Sequence, residues 1–409
     1  MMMISFAFLL LTCAHVVHST ATKHGGPPPS FLGFSSESRS RSADTFNHST
    51  PGLMKELADK ATLQAGPTPF IDAGADVTVM WDSMPNPESH DWIGLYCGEE
   101  SGVSPNNVLD WMYVPLVNES GSAVFRNLIN MRCNYFFRYY RDLPDGSYGL
   151  MAESNEVVPL NGFNAPMHGR LSLTGQVNEM QVTWTSGSTA QAHQGVRYSR
   201  NCAVQQSSGG WDGEVYNISA PTTYEATDMC QVPATTVGQA TFRPVGYFHT
   251  VTLTALEPGT EYCYQFGNDI DGWSSIDSFY SSMTTGADQG VTLIAYGDMG
   301  VGASPAATST LLRVAAEIDE VDLLLHFGDI SYARGYGYIW EQFLYLIEPV
   351  ATKIAYMVSI GNRTWSALLL CVVAEKPRLL IVVIVFFVHV PTKHMSICLM
   401  QCIRLPSLF

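Results

Sequence analysis

Hydrophobic and polar positions alternate in short runs over the first part of the chain, from about residue 57 to residue 285. Runs such as Ala75–Trp81 and Tyr135–Tyr139 are rich in aromatic and β-branched residues, and turn residues separate them. Short strands at this spacing, with little helical periodicity, are typical of β-sandwiches. The pattern therefore predicts two successive all-β domains, over residues 57–160 and 161–286.

The second of these domains contains a turn with a clear physical cause. In Glu257-Pro258-Gly259 the proline fixes φ and the glycine permits positive φ, and a strand is predicted directly after them. The series Pro-Gly-Thr-x-Tyr-x-Tyr that starts at Pro258 resembles the one before a strand in fibronectin-III-like sandwiches. This resemblance implies a fibronectin-III-like fold for residues 161–286. Neither β domain shows a motif with catalytic chemistry.

A different pattern occurs between residues 291 and 362. Three continuous apolar runs each end in a glycine followed by a polar residue, and they are Val291–Asp298, Val321–Asp329 and Ile354–Asn362. Their ends are about one βαβ unit apart. Short apolar runs without alternation fit parallel strands that are buried on both faces.

The segments between the three runs predict helices. Pro305 suits the first position of the first helix. The second helix is predicted over Tyr338–Ile347, with Pro349 ending it. Because strands and helices alternate, residues 287–362 are predicted to be an α/β domain that follows the two sandwiches.

Composition restricts the possible partners. The formal net charge is −16, from 21 basic and 37 acidic residues. This balance argues against nucleic acid as a partner, because binding to phosphate backbones needs stripes of Lys and Arg. It leaves a small phosphorylated substrate possible, because a bound metal ion can supply the positive charge locally.

The N-terminal segment predicts export from the cell. The apolar run Ile4–Leu11 is followed by small residues around Ser19, which indicates a signal peptide over residues 1–21 and a secreted, extracellular protein. The run is too short to span a membrane. Residues 22–56 are rich in Gly, Pro and Ser and are predicted to be a linker. Sequons that permit N-glycosylation begin at Asn47, Asn118 and Asn217.

Five of the nine cysteines lie in the predicted globular part, and they are Cys97, Cys133, Cys202, Cys230 and Cys263. An odd number in an oxidising compartment suggests a missing or distant partner for one of them. The chain has no C-x-x-C motif and no Cys/His cluster with zinc spacing. We therefore interpret these cysteines as structural, and their pairing stays open.

The polar residues after the three predicted strands indicate a metal site. Ligands of parallel α/β sheets bind beyond the carboxyl ends of the strands, which places Asp298, Asp329 and Asn362 on one rim. Carboxylates and a carboxamide are hard oxygen ligands for divalent or trivalent cations. Tyr332 adds a phenol close to Asp329, and phenolate favours ferric iron. A single Gly-Asp after a strand is often only a turn or a helix cap, but three in register favour a metal site.

The motifs that carry this site resemble those of a known family. Gly297-Asp298-Met299-Gly300, Gly328-Asp329-Ile330-Ser331-Tyr332 and Gly361-Asn362 are similar, in order and spacing, to the first three metal motifs of the purple acid phosphatases. These belong to the calcineurin-like metallophosphoesterases. The β domains resemble the large multidomain branch of this family, notably at Asp228-Met229-Cys230 and Gly246-Tyr247-Phe248-His249-Thr250.

The resemblance implies an acid phosphatase that hydrolyses phosphoric monoesters with a dinuclear centre of Fe(III) and a divalent Zn, Mn or Fe ion. It implies that Asp298 and Tyr332 bind the ferric ion, that Asp329 bridges both metals and that Asn362 binds the divalent ion. A metal-bound hydroxide would attack the phosphorus atom. The family completes both coordination spheres with histidines from a V-x-x-H and a G-H-x-H motif.

The resemblance stops directly after Asn362, which implies that the α/β metallophosphoesterase domain of residues 287–362 is incomplete. Arg363 stands where the family has a histidine, and His389 and His394 do not lie in a V-x-x-H or G-H-x-H context. The sequence therefore assigns no catalytic residue. We expect a C-terminally truncated family member without appreciable phosphatase activity.

Residues 363–409 are a divergent tail. Its apolar run Leu379–Val390 is 12 residues long, which is short for a membrane helix and resembles the product of an unspliced intron or a frameshift. Besides an inactive acid phosphatase, two interpretations stay open. One is a nucleotide pyrophosphatase/phosphodiesterase, and the other is a non-catalytic, secreted β-sandwich binding module.

Overall fold

A computed structural model describes residues 60–70, 73–98, 105–114, 118–143, 146–187, 194–202, 211–216, 221–229, 234–238, 242–283, 291–301, 305–333, 335–359, 387–389 and 396–398. The predicted signal peptide and linker, the site residue Asn362 and its neighbour Arg363 lie outside these ranges. Most of the regular structure within them is β-sheet.

The first β domain contains two antiparallel sheets. Its strands are β1 (Thr62–Gly66), β2 (Ala73–Asp82), β3 (Trp92–Cys97), β4 (Asp110–Tyr113), β5 (Gly121–Ile129), β6 (Tyr135–Asp142) and β7 (Tyr148–Glu153). The sheets have the orders β1-β2-β5 and β4-β3-β6-β7. Alternate residues of β2 (Val77, Val79 and Trp81) are buried in a common core that includes residues of both sheets, as the period-2 pattern predicts. A disulfide joins Cys97 to Cys133.

The second β domain has the same general organisation. Its strands are β8 (Met167–Ser172), β9 (Met180–Ser186), β10 (Gly195–Ser199), β11 (Gly213–Tyr216), β12 (Tyr247–Leu253), β13 (Glu261–Asn268), β14 (Gly272–Trp273) and β15 (Asp277–Tyr280). One sheet has the order β12-β9-β8, and the other has the order β11-β10-β13-β14, with β15 on β13. Fully buried Trp184 contacts Phe266 of the facing sheet, with ring centroids 5.7 Å apart.

A parallel sheet follows, as the three apolar runs predict. Its strands are β16 (Leu293–Gly297), β17 (Leu323–Phe327) and β18 (Tyr356–Val358), in this order and parallel throughout. The helices between them are α1 (Pro305–Glu317) and α2 (Gly337–Ala351). Two short strands, β19 (Phe387–His389) and β20 (Ser396–Cys398), form an antiparallel pair.

The two helices can be compared with the start and the end that the sequence predicts for them. Helix α1 begins at Pro305, where proline suits the first helical position. The prediction that Pro349 ends the second helix is wrong, because α2 continues to Ala351 with this proline inside it. Pro349 has no N–H and so removes one i→i−4 hydrogen bond from the last turn. Val350 and Ala351 are fully buried, so tertiary packing holds the last turn in place.

The parallel sheet is covered on both faces. Leu323, Ala355 and Met357 belong to the core of the second β domain, whereas Leu324 and Tyr356 pack in a core with residues of α1 and α2. Helix α2 also contributes Tyr338 to the core of the first β domain. The rim that carries the predicted ligands is therefore held by both upstream domains. Within the described ranges, no helix has the length and apolar character that crossing a membrane requires.

Candidate metal centre

The loops after β16 and β17 lie side by side on one rim of the parallel sheet. Gly297 is in register with Phe327, and the next amide, that of Asp298, donates to the Phe327 carbonyl oxygen at 3.2 Å. Two residues further on, the Gly300 amide donates to the carbonyl oxygen of Ile330 at 2.9 Å. Parallel pairing therefore continues from the strands into the loops that carry the predicted ligands.

A direct hydrogen bond connects the two aspartates. The backbone N–H of Asp329 donates to Oδ1 of Asp298 at 2.7 Å. Asp298 is exposed on the rim, whereas Asp329 is only 3% exposed. A carboxylate has about four lone-pair sites, so the bond to the amide leaves Asp298 able to bind a cation as well.

Two glycines make this close approach possible. Gly328 has φ +83°, and a Cβ on it would lie 2.4 Å from Oδ1 of Asp298. Gly300 has φ +70°, and its Cβ would lie 3.2 Å from the Tyr332 ring. Both motifs therefore need glycine for its backbone conformation and because a neighbouring side chain occupies the space of a Cβ.

The predicted ligands themselves have unusual backbone angles. Asp298 has φ +55° and Tyr332 has φ +54°, which is the left-handed region that costs an ordinary residue about 1–2 kcal/mol. Such conformations are concentrated at functional sites, where the surrounding structure maintains them. The strain at two of the predicted ligands supports a role beyond turn formation.

A buried histidine, whose role the sequence analysis missed, lies beneath the rim. His326 is fully buried in β17, and its Nδ1 is 2.8 Å from the hydroxyl of Tyr356, which is 2.7 Å from the hydroxyl of Tyr296. Burial lowers the pKa of His326 to about 4, although the charge of Asp298 acts in the opposite direction. A polar residue inside an apolar strand run was the available signal, and this network accounts for it.

The described residues fit a hard cation in part. Two carboxylates and a phenol on neighbouring loops supply oxygen donors, and the glycine-lined approach leaves room for the Asp298 carboxylate. The fourth predicted ligand, Asn362, lies outside the described residues. Across the described ranges, no group of three or more His, Cys, Asp or Glu side chains is placed to hold a metal ion. The described residues therefore supply oxygen donors on one rim but do not by themselves form a complete metal-binding group.

Several known proteins are similar to this chain over much of its length. Residues 166–281 match the family model "Purple acid Phosphatase, N-terminal domain". "Probable inactive purple acid phosphatase 9" of Arabidopsis thaliana is 29% identical over 77% of this chain and 50% of its own length. "Probable inactive purple acid phosphatase 1" of the same plant is 31% identical over 76% of this chain and 54% of its own length.

A solved structure of a purple acid phosphatase is also similar to this chain. The purple acid phosphatase from yellow lupin (Lupinus luteus) seeds superposes with a TM-score of 0.62 and 26% sequence identity, over 74% of this chain and 57% of that one. The fold is thus that of a β-rich phosphatase-like protein with its Gly-Asp loops on a parallel sheet. The chain belongs to the purple acid phosphatase family. It spans about half the length of the curated relatives it matches.

Proposed function

We propose that the rim is the first half of an acid phosphatase centre that acts on phosphoric monoesters of small molecules. The observation that carries this proposal is the 2.7 Å hydrogen bond from the Asp329 amide to the Asp298 carboxylate. This bond joins two Gly-Asp loops that follow neighbouring parallel strands. A turn or a helix cap would not need this bond between the two loops.

The ligand roles follow the family pattern. Asp298 and Tyr332 would hold a ferric ion, Asp329 would bridge to a divalent Zn, Mn or Fe ion, and Asn362 would bind that second ion. When bound, such a pair supplies Lewis acidity and an activated water. Asp329 is buried and receives a fixed backbone orientation from Asp298, so its carboxylate is positioned before a metal arrives.

We propose further that the 409-residue chain has no appreciable phosphatase activity. Arg363 introduces a positive charge next to a predicted ligand, where the family has an imidazole. Residues 363–409 contain neither of the family's histidine motifs. With oxygen donors alone from this chain, both metal affinity and water activation should be low. Two similar relatives carry the word "inactive" in their names, which supports the same conclusion.

Metal titration of the purified chain tests the site. We expect added Fe(III) to produce a visible tyrosinate-to-iron absorption band that Tyr332→Phe abolishes, and we expect Asp329→Asn to lower the metal stoichiometry. Asp319→Asn removes an exposed carboxylate from the turn after α1 and should change neither result. A band that survives in Tyr332→Phe, or full metal binding by Asp329→Asn, would refute the ligand assignment.

Activity is measured separately with a nitrophenyl phosphate monoester and the corresponding diester at mildly acidic pH. We expect neither to be hydrolysed. Metal-dependent cleavage of the monoester would refute the proposed inactivity, and cleavage of the diester alone would favour phosphodiesterase chemistry. If the chain binds no metal at all, a non-catalytic β-sandwich module becomes the better description.

We also propose that the protein is secreted. The disulfide between Cys97 and Cys133 supports an oxidising compartment, and the predicted signal peptide supplies the route. Expression in eukaryotic cells should release the chain into the medium with its N-terminus close to residue 22. Retention in the cytosol with an intact N-terminus would contradict this.

A further inference from the structure

Two cysteines of the second β domain lie close together although they are far apart in the sequence. Strands β10 and β13 are antiparallel neighbours, and Ser199 is directly opposite Cys263 in their register. The chain leaves β10 at Ser199 and reaches Cys202 three residues later. The strand register therefore brings the end of β10 and the thiol of Cys263 to the same place.

The turn after β10 is fixed by hydrogen bonds. The Asn201 amide donates to the Ser199 hydroxyl oxygen at 3.0 Å. That hydroxyl donates to Oδ2 of Asp212 at 2.9 Å, and the Arg200 amide donates to the same oxygen at 2.9 Å. Because these bonds hold residues 199–201, Cys202 stays beside β13.

The two thiols interact with each other. Cys263 is buried, and its Sγ donates to the Ser199 carbonyl oxygen at 3.3 Å. Burial, followed by the contact with the Cys202 thiol, raises the pKa of Cys263 to about 12. Cys202 is half-buried, so an oxidant in solution can reach it first.

We propose that Cys202 and Cys263 form a second disulfide in the mature protein. The same chain carries the Cys97–Cys133 bond, and the secretion proposed above would place it in an oxidising compartment. The oxidant would be a small disulfide such as oxidised glutathione. The Cys202 thiolate attacks one of its sulfurs and expels one thiol, and Cys263 then loses its proton and attacks the Cys202 sulfur to expel the second. The two protein thiols lose two electrons and two protons, and the oxidant is reduced to two thiols.

The bond would close a loop of about 60 residues. A loop of this length would substantially lower the conformational entropy of the unfolded chain and so stabilise the folded state. The loop includes the cluster of Tyr224, Met229, Ala234 and Val245, which packs against Trp340 of α2. Ala234 also lies against Gly335, because a Cβ added to Gly335 would lie 2.6 Å from the Cα of Ala234. The disulfide would therefore restrain a segment that packs beside the loop of Tyr332.

Peptide mapping of the full chain, secreted from eukaryotic cells, tests the proposal. The folded protein is blocked with N-ethylmaleimide, denatured, and digested without reduction. Trypsin alone leaves Cys202, Cys230 and Cys263 on one peptide, because it does not cleave between Arg243 and Pro244. Glu-C is therefore needed, since cleavage after Glu225 and Glu257 separates the three cysteines. We expect the Cys202 peptide to be linked to the Cys263 peptide. Maleimide on both cysteines, or linkage of Cys202 to Cys230 or to any other cysteine, would overturn the proposal.

Variants give a second measurement. Cys202→Ser should leave Cys263 free and lower the melting temperature on the order of 10 °C. The double variant Cys202→Ser/Cys263→Ser should lose little more, because a single bond is removed in both. Cys230→Ser is the matched control and should keep the linked peptide. If the effects of the two single changes simply add, the two thiols act independently and the bond does not form.

Discussion

Replacing Gly328 with alanine is the sharpest test of how the candidate centre is built. The glycine has φ +83°, and the new Cβ would lie 2.4 Å from Oδ1 of Asp298. The substitution therefore changes two things at once. It places an ordinary residue in the left-handed region, and it pushes the Asp298 carboxylate away from the Asp329 amide.

The size of the effect follows from these two changes. The left-handed backbone costs about 1–2 kcal/mol. Loss of a hydrogen bond with a charged acceptor costs about 1.5 kcal/mol or more, here the 2.7 Å bond from the Asp329 amide. We therefore expect Gly328→Ala to lower the free energy of unfolding by about 3 kcal/mol, and to lower metal stoichiometry as well.

Gly162→Ala is the matched control. Gly162 has φ +75°, but no atom lies within 4 Å of the position of its Cβ. Only the backbone cost of about 1–2 kcal/mol should remain there. The two variants are compared by urea denaturation, followed by circular dichroism and tryptophan fluorescence. Equal losses of stability in both, with metal binding retained in Gly328→Ala, would refute the proposed support of the Asp298 carboxylate.

Two further predictions concern buried charges between the domains. Arg132→Met leaves Glu341 buried without its ion-pair partner and should lower the free energy of unfolding by about 3–5 kcal/mol. Adding Glu341→Gln to this variant should restore much of the lost stability. A double variant as unstable as Arg132→Met alone would contradict the prediction. Burial raises the pKa of Glu348 to about 7, so the native state binds this proton more tightly than the unfolded state and stability should fall as the pH rises from 4.5 to 7. Glu348→Gln should remove about 3 kcal/mol of this loss of stability with pH. The measurement compares the melting temperatures of the two proteins at pH 5 and pH 7.5. An unchanged pH dependence in the variant would show that other groups cause the loss.

The sequence was sufficient to predict the neighbouring position of Asp298 and Asp329. Parallel strands bring their carboxyl ends to one rim, so two Gly-Asp motifs one βαβ unit apart must lie close together. The left-handed backbone of Asp298 and Tyr332 was not predictable, because it results from contacts between the two loops. The placement of Asn362 stays a prediction.

Other features depend on contacts that leave no local signal in the sequence. Arg132 and Glu341 are 209 residues apart, and neither stands out in its own segment. Pro349 is a helix breaker by its local chemistry, yet buried Val350 and Ala351 keep it inside α2. In both cases, packing between distant parts of the chain decides the local structure.

This packing also explains why the upstream domains matter for the candidate centre. One face of the parallel sheet is covered by α1 and α2, and the other is covered by the core of the second β domain, through Leu323, Ala355 and Met357. Residues 287–362 alone would expose this second face to water, at a free-energy cost of about 25 cal/mol for each Å² of apolar surface. The rim loops follow directly from β16 and β17, so their geometry depends on that covered sheet. The β domains are therefore part of the structure that positions Asp298 and Asp329.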